Sequence, residues 1–219
     1  MQSKSRSSIA GWTSSGNFRR LRTLKPVVFI LCLLPLAYCI YQVVALSLGY
    51  THQLGADPGK AIVRFNGEWA LRLLLLTLCV TPLRQMFAWN RLAQLRRMLG
   101  LFCFSYASIH LMSYITFLLE FRFNDIAADI IKRPYITVGF IAFISLLLLA
   151  ITSNNWMVRR LQRRWKTLHK LVYLILILAL IHLLWLARSD YTEAAVYSAV
   201  GLLLMGHRIK RWIQTRKVK

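Results

Sequence analysis

Acidic residues are scarce in this chain. Seven Asp and Glu stand against 29 Lys and Arg among 219 residues, which gives a net charge of +22. Hydrophobic residues make up 57% of the chain, and the mean hydropathy is +0.49. A composition this apolar excludes an ordinary soluble domain and indicates an integral membrane protein. A basic excess of this size fits either nucleic acid or anionic lipid, and the positions of the charges decide between them.

Two cofactor signatures are missing. No two of the four cysteines form a C-x-x-C pair, so the C-x-x-C-H motif that attaches c-type haem covalently is absent. The chain also lacks G-x-G-x-x-G and any soluble region that would bind NAD(P)H. We therefore expect any electrons that the protein carries to come from a separate donor.

Long apolar runs dominate what is present. Each is close to the roughly 17 to 25 residues that a helix needs to cross a bilayer, where all backbone hydrogen bonds must close within the helix. The sequence therefore predicts an all-α membrane protein, with a cytoplasmic tail over 1–25, a six-helix transmembrane domain over 26–207 and a basic tail over 208–219. The predicted spans are 26–48, 67–87, 98–120, 135–153, 167–187 and 191–207.

The basic residues concentrate on one side of these spans. The N-terminal tail, the connections after the second and fourth spans, and the C-terminal tail hold six, four, five and six Lys and Arg, whereas the opposite connections hold six in total and most of the acids. Short loops rich in Lys and Arg stay in the cytoplasm. Both termini are therefore predicted to be cytoplasmic. Because topology accounts for the charge, we predict no nucleic-acid partner.

Histidines supply the candidate site. Of five, His52 and His207 lie near predicted membrane boundaries, whereas His110, His169 and His182 lie inside the third and fifth spans. An ionisable side chain within a membrane is a functional candidate. Three interpretations compete: a neutral imidazole hydrogen-bonded to a neighbouring helix, a proton or ion pathway, and ligation of a metal or haem. Acids are nearly absent from the spans, which disfavours the ion pathway.

Spacing separates the three histidines into two levels. A rise of about 1.5 Å per residue puts His169 and His182 roughly 19 to 20 Å apart along the fifth span, too far for one metal site but suited to two cofactors across the membrane. By the same rise, His110 lies closer in height to His182 than to His169. Thirteen residues also turn an ideal helix by about 140°, so either the helix bends or the two cofactors lie at different azimuths around it.

Several longer motifs resemble one known family. The chain resembles MsrQ (formerly YedZ), the haem-binding membrane subunit of the bacterial MsrPQ methionine sulfoxide reductase system, and more distantly the ferric-reductase-like transmembrane domain. The motifs, in order, are LGADPGKAIVRFNGEWAL (54–71), TPLR (81–84), RRMLGLFCFSYASIHLMSY (96–114), KRPYITVGF (132–140) and RRLQRRWKTLHKLVYL (159–174).

The resemblance implies a site and its cofactors. It implies that His110, His169 and His182 ligate one or two b haems, with FMN as a further cofactor. Where the two-haem pattern would want another histidine on the third span, this chain has Arg96, whose guanidinium has no lone pair for iron. Arg96 then either pairs with a haem propionate or serves only as a positive-inside charge. A second departure is Gln162, where we expect glycine.

The resemblance also implies the protein's role. It implies a multi-pass protein of the bacterial inner membrane that takes electrons from the quinone pool or a cytoplasmic flavin reductase. It would pass them to MsrP, a periplasmic molybdenum reductase with which it forms a heterodimer. MsrP, not this electron-transfer subunit, would reduce methionine sulfoxide in oxidised periplasmic proteins.

Two other functions stay open at this stage. One is a transmembrane cytochrome of the metalloreductase kind that reduces an acceptor directly at the outer face. The other is a haem-free transporter or assembly scaffold, in which the histidines make only hydrogen bonds between helices.

Overall fold

The regular structure is helical throughout the part of the chain that is described. A computed structural model describes residues 15–87, 92–122, 129–187 and 191–217, so most of the predicted N-terminal tail lies outside these ranges. The all-α prediction is confirmed within them. The helices are α1 (Ser15–Ser47), α2 (Pro58–Met86), α3 (Ala93–Ser113), a π-helical segment (Tyr114–Leu118), α4 (Pro134–Ile151), α5 (Asn155–Leu168), α6 (Leu171–Leu186) and α7 (Thr192–Lys217).

Membrane-spanning character is clear for part of the bundle. Within the described ranges, three helical stretches are long and apolar enough to cross a membrane, namely Leu24–Ser47, Ala93–Leu118 and Pro134–Ile151. A fourth is obtained if α5 and α6, which meet at a bend of 50°, count as one span. Helices also occupy the second and sixth predicted spans, as α2 and α7. The count of six spans remains a prediction.

Apolar side chains cover much of the outside of the bundle. On α1, Ile30 and Leu34 are 57% and 55% exposed, and on α7 Leu202 and Leu203 are 70% and 74% exposed. Exposed apolar surface of this extent is unfavourable in water but matches the hydrocarbon of a bilayer. The exposed helix faces are therefore suited to contact lipid.

Two helix pairs organise the interior. α2 packs along α3, α4 packs along α6, and contacts between α3 and α4 join the two pairs. The centre of the first pair is Tyr106 on α3, which is 1% exposed and donates its hydroxyl to the carbonyl oxygen of Cys32 on α1 at 2.8 Å. A buried hydroxyl with a backbone acceptor costs little and fixes α1 against α3.

An ion-pair network ties α2 to α7. Glu68, whose side chain is 12% exposed, accepts from Arg64 at 2.6 Å and from Arg72 at 3.0 Å. Arg64 also contacts Glu193 on α7 at 2.8 Å, and Arg72 donates to the Tyr197 hydroxyl at 2.8 Å. Within this network the arginine charges lie directly against carboxylates.

The bend between α5 and α6 changes the fifth predicted span. α5 is a separate basic helix whose side-chain cap is Asn154, which accepts from the backbone N–H of Met157 at 2.7 Å. His169 caps its C-terminus, and α6 begins only at Leu171. The apolar run therefore contains a corner, and His169 lies at the corner and outside α6.

The backbone of α5 is interrupted at Gln162, the position where family resemblance led us to expect glycine. Gln162 has φ +45° and ψ −113°, a conformation that residues with a Cβ rarely adopt. The side chain is exposed, so no packing interaction compensates. The departure from the family pattern therefore falls at a strained residue.

Substituting glycine at this position should stabilise the protein. We expect Gln162→Gly to raise the free energy of unfolding by about 1 kcal/mol, because it relieves the strain at positive φ. The measurement is thermal unfolding of the detergent-solubilised protein, with Gln162→Ala as the matched control because alanine keeps the Cβ. Equal midpoints for the two variants would contradict the strain assignment.

Candidate haem site

Two of the predicted histidines come together between the helix pairs. The imidazole of His110, near the end of α3, and that of His182, on α6, have ring centroids 6.3 Å apart and ring planes at 86°. Both side chains are half-buried. This is the pairing that their estimated heights in the membrane favour.

The backbone fixes the orientation of both rings. Nδ1 of His110 lies 2.8 Å from the carbonyl oxygen of Val63, and Nδ1 of His182 lies 2.7 Å from that of Tyr135. A carbonyl oxygen can only accept, so each Nδ1 carries the proton and donates. The lone pair of each neutral imidazole is then on Nε2. Metal-ligating histidines are typically held in this way.

A glycine faces each ring. A Cβ on Gly67, one turn after Val63, would lie 2.8 Å from Nδ1 of His110. A Cβ on Gly139, one turn after Tyr135, would lie 2.8 Å from Nδ1 of His182. Real Cβ atoms essentially never approach other heavy atoms this closely. Glycine is therefore required at both positions for the imidazoles to reach their carbonyl partners.

The separation of the rings fits one metal ion between them. Imidazole nitrogen binds a metal at about 2 Å, so two imidazoles on opposite sides of one ion hold their ring centroids roughly 6 Å apart. The observed 6.3 Å agrees. Within the described residues, no group of three or more His, Cys, Asp or Glu could hold an ion without further ligands. His110 and His182 could therefore hold a haem, whose porphyrin would supply the remaining ligands.

Polar contacts join the segment that follows His110 to the start of α4. Tyr114, in the π-helical segment that follows His110, donates its hydroxyl to Asp129 at 2.6 Å. Asp129 in turn contacts Arg133 at 3.3 Å, at the start of α4. These contacts join the ends of the helices that carry His110 and the Tyr135 carbonyl, and so limit relative movement of the two histidines.

His169 occupies a separate site at the corner between α5 and α6. Its ring stacks on Trp165, with centroids 3.9 Å apart and planes at 28°, and its Nδ1 lies 3.2 Å from the Trp165 carbonyl oxygen. Its Nε2 is 3.5 Å from the Ser153 hydroxyl, at the limit of a hydrogen bond. His169 is therefore oriented as the other two are, with Nδ1 at a carbonyl and Nε2 directed away from it.

Arg96 lies within electrostatic range of His169. It is half-buried in the first turn of α3, and Arg84, Arg208 and Tyr173 are also within electrostatic range. This position is compatible with either role considered for Arg96, a partner of a haem propionate or a positive-inside charge.

Sequence reasoning missed the carbonyls of Val63 and Tyr135 and the two glycines. A signal for them does exist in the chain. Each carbonyl precedes its histidine by the same 47 residues, and a glycine follows each carbonyl by one turn. Neither feature could be interpreted before the contacts were known.

Comparison with known proteins identifies the class and then the family. The model of the family "Ferric reductase like transmembrane component" matches residues 66–180, more than half of the chain. This match defines a ferric-reductase-like transmembrane protein.

A relative from Polaromonas naphthalenivorans (strain CJ2) is 44% identical over 197 residues, covering 88% of this chain and 87% of the relative. Relatives from Xanthomonas euvesicatoria pv. vesicatoria (strain 85-10) and Xanthomonas axonopodis pv. citri (strain 306) are 44% and 43% identical, with 88% of both chains covered. All three are protein-methionine-sulfoxide reductase heme-binding subunits MsrQ. The chain belongs to the MsrQ family.

Proposed function

We propose that this protein is a haem b subunit that carries electrons across the bacterial inner membrane to a periplasmic MsrP-type reductase. The observation that supports this most directly is the facing pair His110 and His182, with both Nδ1 atoms bonded to backbone and both Nε2 atoms free to ligate. Among the described residues, neither histidine contacts a carboxylate, which a proton pathway would require.

The two imidazoles would ligate the haem iron. When bound, haem supplies one-electron transfer, and the protein sets its potential through axial ligands and burial. The Val63 and Tyr135 carbonyls accept hydrogen bonds from Nδ1–H, which makes each imidazole Nε2 a more basic ligand for iron. Gly67 and Gly139 let the two rings reach their carbonyl partners. The contacts of Tyr114, Asp129 and Arg133 limit the movement of α3 relative to α4.

A second haem belongs to the same proposal, at His169. Its support is that His169 is oriented by Trp165 and lies near Arg96, whose guanidinium suits a haem propionate. Arg96 cannot ligate iron, so this haem would have one histidine ligand. Two haems at different depths would make a path from the cytoplasmic to the periplasmic side.

Replacing His169 should separate the two sites. We expect His169→Ala to keep the haem at His110 and His182 and to remove the inner haem, which lowers haem per polypeptide from two to one. The measurement is pyridine haemochrome quantitation together with oxidised and reduced visible spectra. Arg96→Gln, which removes the proposed propionate partner but no ligand, should weaken retention of the inner haem less than His169→Ala does. An unchanged haem content in both variants would contradict an inner haem.

The topology is part of the proposal. Six spans with both termini in the cytoplasm are supported by the one-sided distribution of Lys and Arg and by the helices at all six predicted positions. The quinone pool or a cytoplasmic flavin reductase is the proposed donor. FMN is the proposed additional cofactor.

Electron flow in proteoliposomes tests the function. The purified protein is reconstituted and reduced with a quinol or with a flavin reductase, and haem reoxidation is followed optically. We expect reoxidation by methionine sulfoxide only when an MsrP-type partner is present on the other side. Direct reoxidation by a soluble acceptor without that partner would favour the metalloreductase alternative. Colourless protein from haem-replete cells would favour the transporter or scaffold.

A further inference from the structure

The connection between α4 and α6 concentrates positive charge on one short helix. α5 contains no Asp or Glu, and its five basic side chains are all exposed, namely Arg159, Arg160, Arg163, Arg164 and Lys166. Among the described residues, none of the five forms an ion pair with a carboxylate. Their positions agree with the positive-inside rule, but that rule does not identify the anion that balances their charge.

Arg208 on α7 shows what a structurally committed cation on the same side of the bundle looks like. It donates Nε to the Tyr173 hydroxyl on α6 at 2.5 Å and Nη2 to the Thr81 hydroxyl on α2 at 3.1 Å. Within the described ranges, the basic side chains of α5 make no comparable contacts, apart from Arg160, whose guanidinium carbon lies 4.9 Å from the centre of the Trp156 ring. The cations of α5 are therefore available to a ligand.

α5 begins directly after a helix that is long and apolar enough to cross a membrane. α4 ends at Ile151, and Nε1 of Trp165 donates to the carbonyl oxygen of Thr152 at 2.9 Å, which holds α5 against that end. Exposed apolar side chains recur along α4 at helical spacing up to this point, namely Ile141, Ile144, Leu148 and Ile151. The start of α5 therefore lies where acyl chains packed along α4 would meet their headgroups.

An open groove lies at the start of α5. It has a volume of about 320 Å³ and is bordered by Asn155, Val158 and Arg159. Small-molecule sites have volumes of roughly 300 to 1,000 Å³, so the groove has room for a phosphate group with part of a glycerol. Arg97 on α3 donates Nη1 to Oδ1 of Asn155 at 2.6 Å, which brings a second guanidinium to one wall of the groove.

The donors at the groove suit a phosphate group. Arg97 gives a single N–H to Asn155, and neither the Asn155 Nδ2 nor the Arg159 guanidinium donates to another described residue. Guanidinium forks bind phosphate oxygens in pairs. Neither α3 nor α5 contains an acidic residue that would compete for these donors. The groove is therefore complementary to an anion.

Apolar side chains at the same place favour a lipid as the source of the phosphate. Val158, which borders the groove, is 36% exposed, and Trp156 is 58% exposed beneath Arg160. Tryptophan next to a basic residue is typical of the headgroup region of a membrane. A free phosphate ion would leave this apolar surface in water, whereas the glycerol and acyl part of a lipid would cover it.

We propose that Arg97, Asn155 and Arg159 bind the phosphate group of one anionic phospholipid, with Val158 and Trp156 against its glycerol and acyl region. Clusters of roughly four to eight Lys and Arg next to a spanning helix attract anionic lipid, so the other cations of α5 add to the attraction. The proposal rests on the proposed topology only for the assignment to the cytoplasmic leaflet. It does not depend on haem.

The test compares Arg159→Gln with Arg164→Gln in the full-length protein purified in detergent. Both variants remove one exposed cation from α5, but only Arg159 borders the groove. Each protein is titrated with phosphatidylglycerol, and bound lipid is counted by native mass spectrometry. Phosphatidylcholine is the neutral comparison, and inorganic phosphate is added as a competitor.

We expect wild-type protein to bind one phosphatidylglycerol in preference to phosphatidylcholine. Arg159→Gln should weaken this binding by about tenfold, the effect of losing a charge-assisted hydrogen bond, and Arg164→Gln by only about twofold. Equal weakening in the two variants overturns the site, as does a wild type that binds the two lipids equally. Inorganic phosphate that binds as tightly as the lipid overturns the assignment to a lipid.

A second variant tests the same groove from another helix. Arg97→Gln removes the cation that α3 contributes and should also weaken phosphatidylglycerol binding by about tenfold. This variant decides the question if Arg159→Gln does not fold, and unchanged binding in it overturns the proposal. Thermal unfolding confirms that each variant is folded. A colourless wild type would contradict the proposed function, whereas the lipid titration would still test the groove.

Discussion

Alanine at either His110 or His182 should abolish the same haem signal. With Nδ1 of each ring bonded to a backbone carbonyl and ring centroids 6.3 Å apart, we expect the two imidazoles to ligate one haem iron. Either variant would leave only one imidazole to hold the haem, which would then be retained weakly. We expect essentially complete loss of its low-spin spectrum in each variant.

The measurement is the visible spectrum before and after dithionite, combined with haem per polypeptide. His52→Ala is the matched control, because His52 lies in the connection between α1 and α2, away from the pair, and should leave the spectrum unchanged. If His110→Ala and His182→Ala remove spectroscopically different haems, the shared site is wrong.

Alanine at Gly67 or Gly139 should disrupt the same haem without removing any ligand atom. The new methyl group would lie 2.8 Å from Nδ1 of the facing histidine, and at Gly139 also 2.9 Å from Cε1. The ring must then tilt away from its carbonyl, which breaks the Nδ1 hydrogen bond and moves Nε2. We expect overpacking to cost about 1 to 3 kcal/mol and haem content to fall several-fold.

Haem titration and thermal unfolding of the two glycine variants provide the readout. Gly100→Ala on α3 is the control, because its Cβ would meet only the Thr77 methyl group, at 4.0 Å, which is ordinary contact. That variant should retain haem and gain slightly in helix propensity. Full haem content in Gly67→Ala and Gly139→Ala would show that the rings do not depend on close approach to the glycines.

The helices and the pairing of the histidines could be predicted from the sequence. Apolar runs of membrane length locate α1, α3 and α4, because lipid contact imposes a long, simple pattern. The rise per residue of a helix is nearly constant, so the depth of each histidine in the membrane can be estimated from the sequence. These depths favour the pairing of His110 with His182. The angle of about 140° between His169 and His182 assumes one straight helix, and the 50° bend at His169 means that this assumption does not hold.

Other features depend on contacts that a single sequence does not reveal. Residues 167–187 form a continuous apolar run, so their hydropathy gives no sign of the bend between α5 and α6. Charge counting explains Arg208 as a positive-inside residue, and only the fold shows that Tyr173 and Thr81 orient it. Gly67 and Gly139 resemble any membrane glycine until the facing imidazoles are located. Gln162 is the exception, because the resemblance to the family identifies it as a departure from glycine without knowledge of its backbone conformation.

The carbonyl, glycine and histidine that line one side of the proposed haem recur on the other side at the same 47-residue spacing. The arrangement of carbonyl, glycine and histidine thus occurs twice, once on α2 and α3 and once on α4 and α6. A change to the surroundings of one histidine, such as Gly67→Ala, therefore has a counterpart at the other, Gly139→Ala. Comparing the two variants would show how much each histidine contributes to retention of haem.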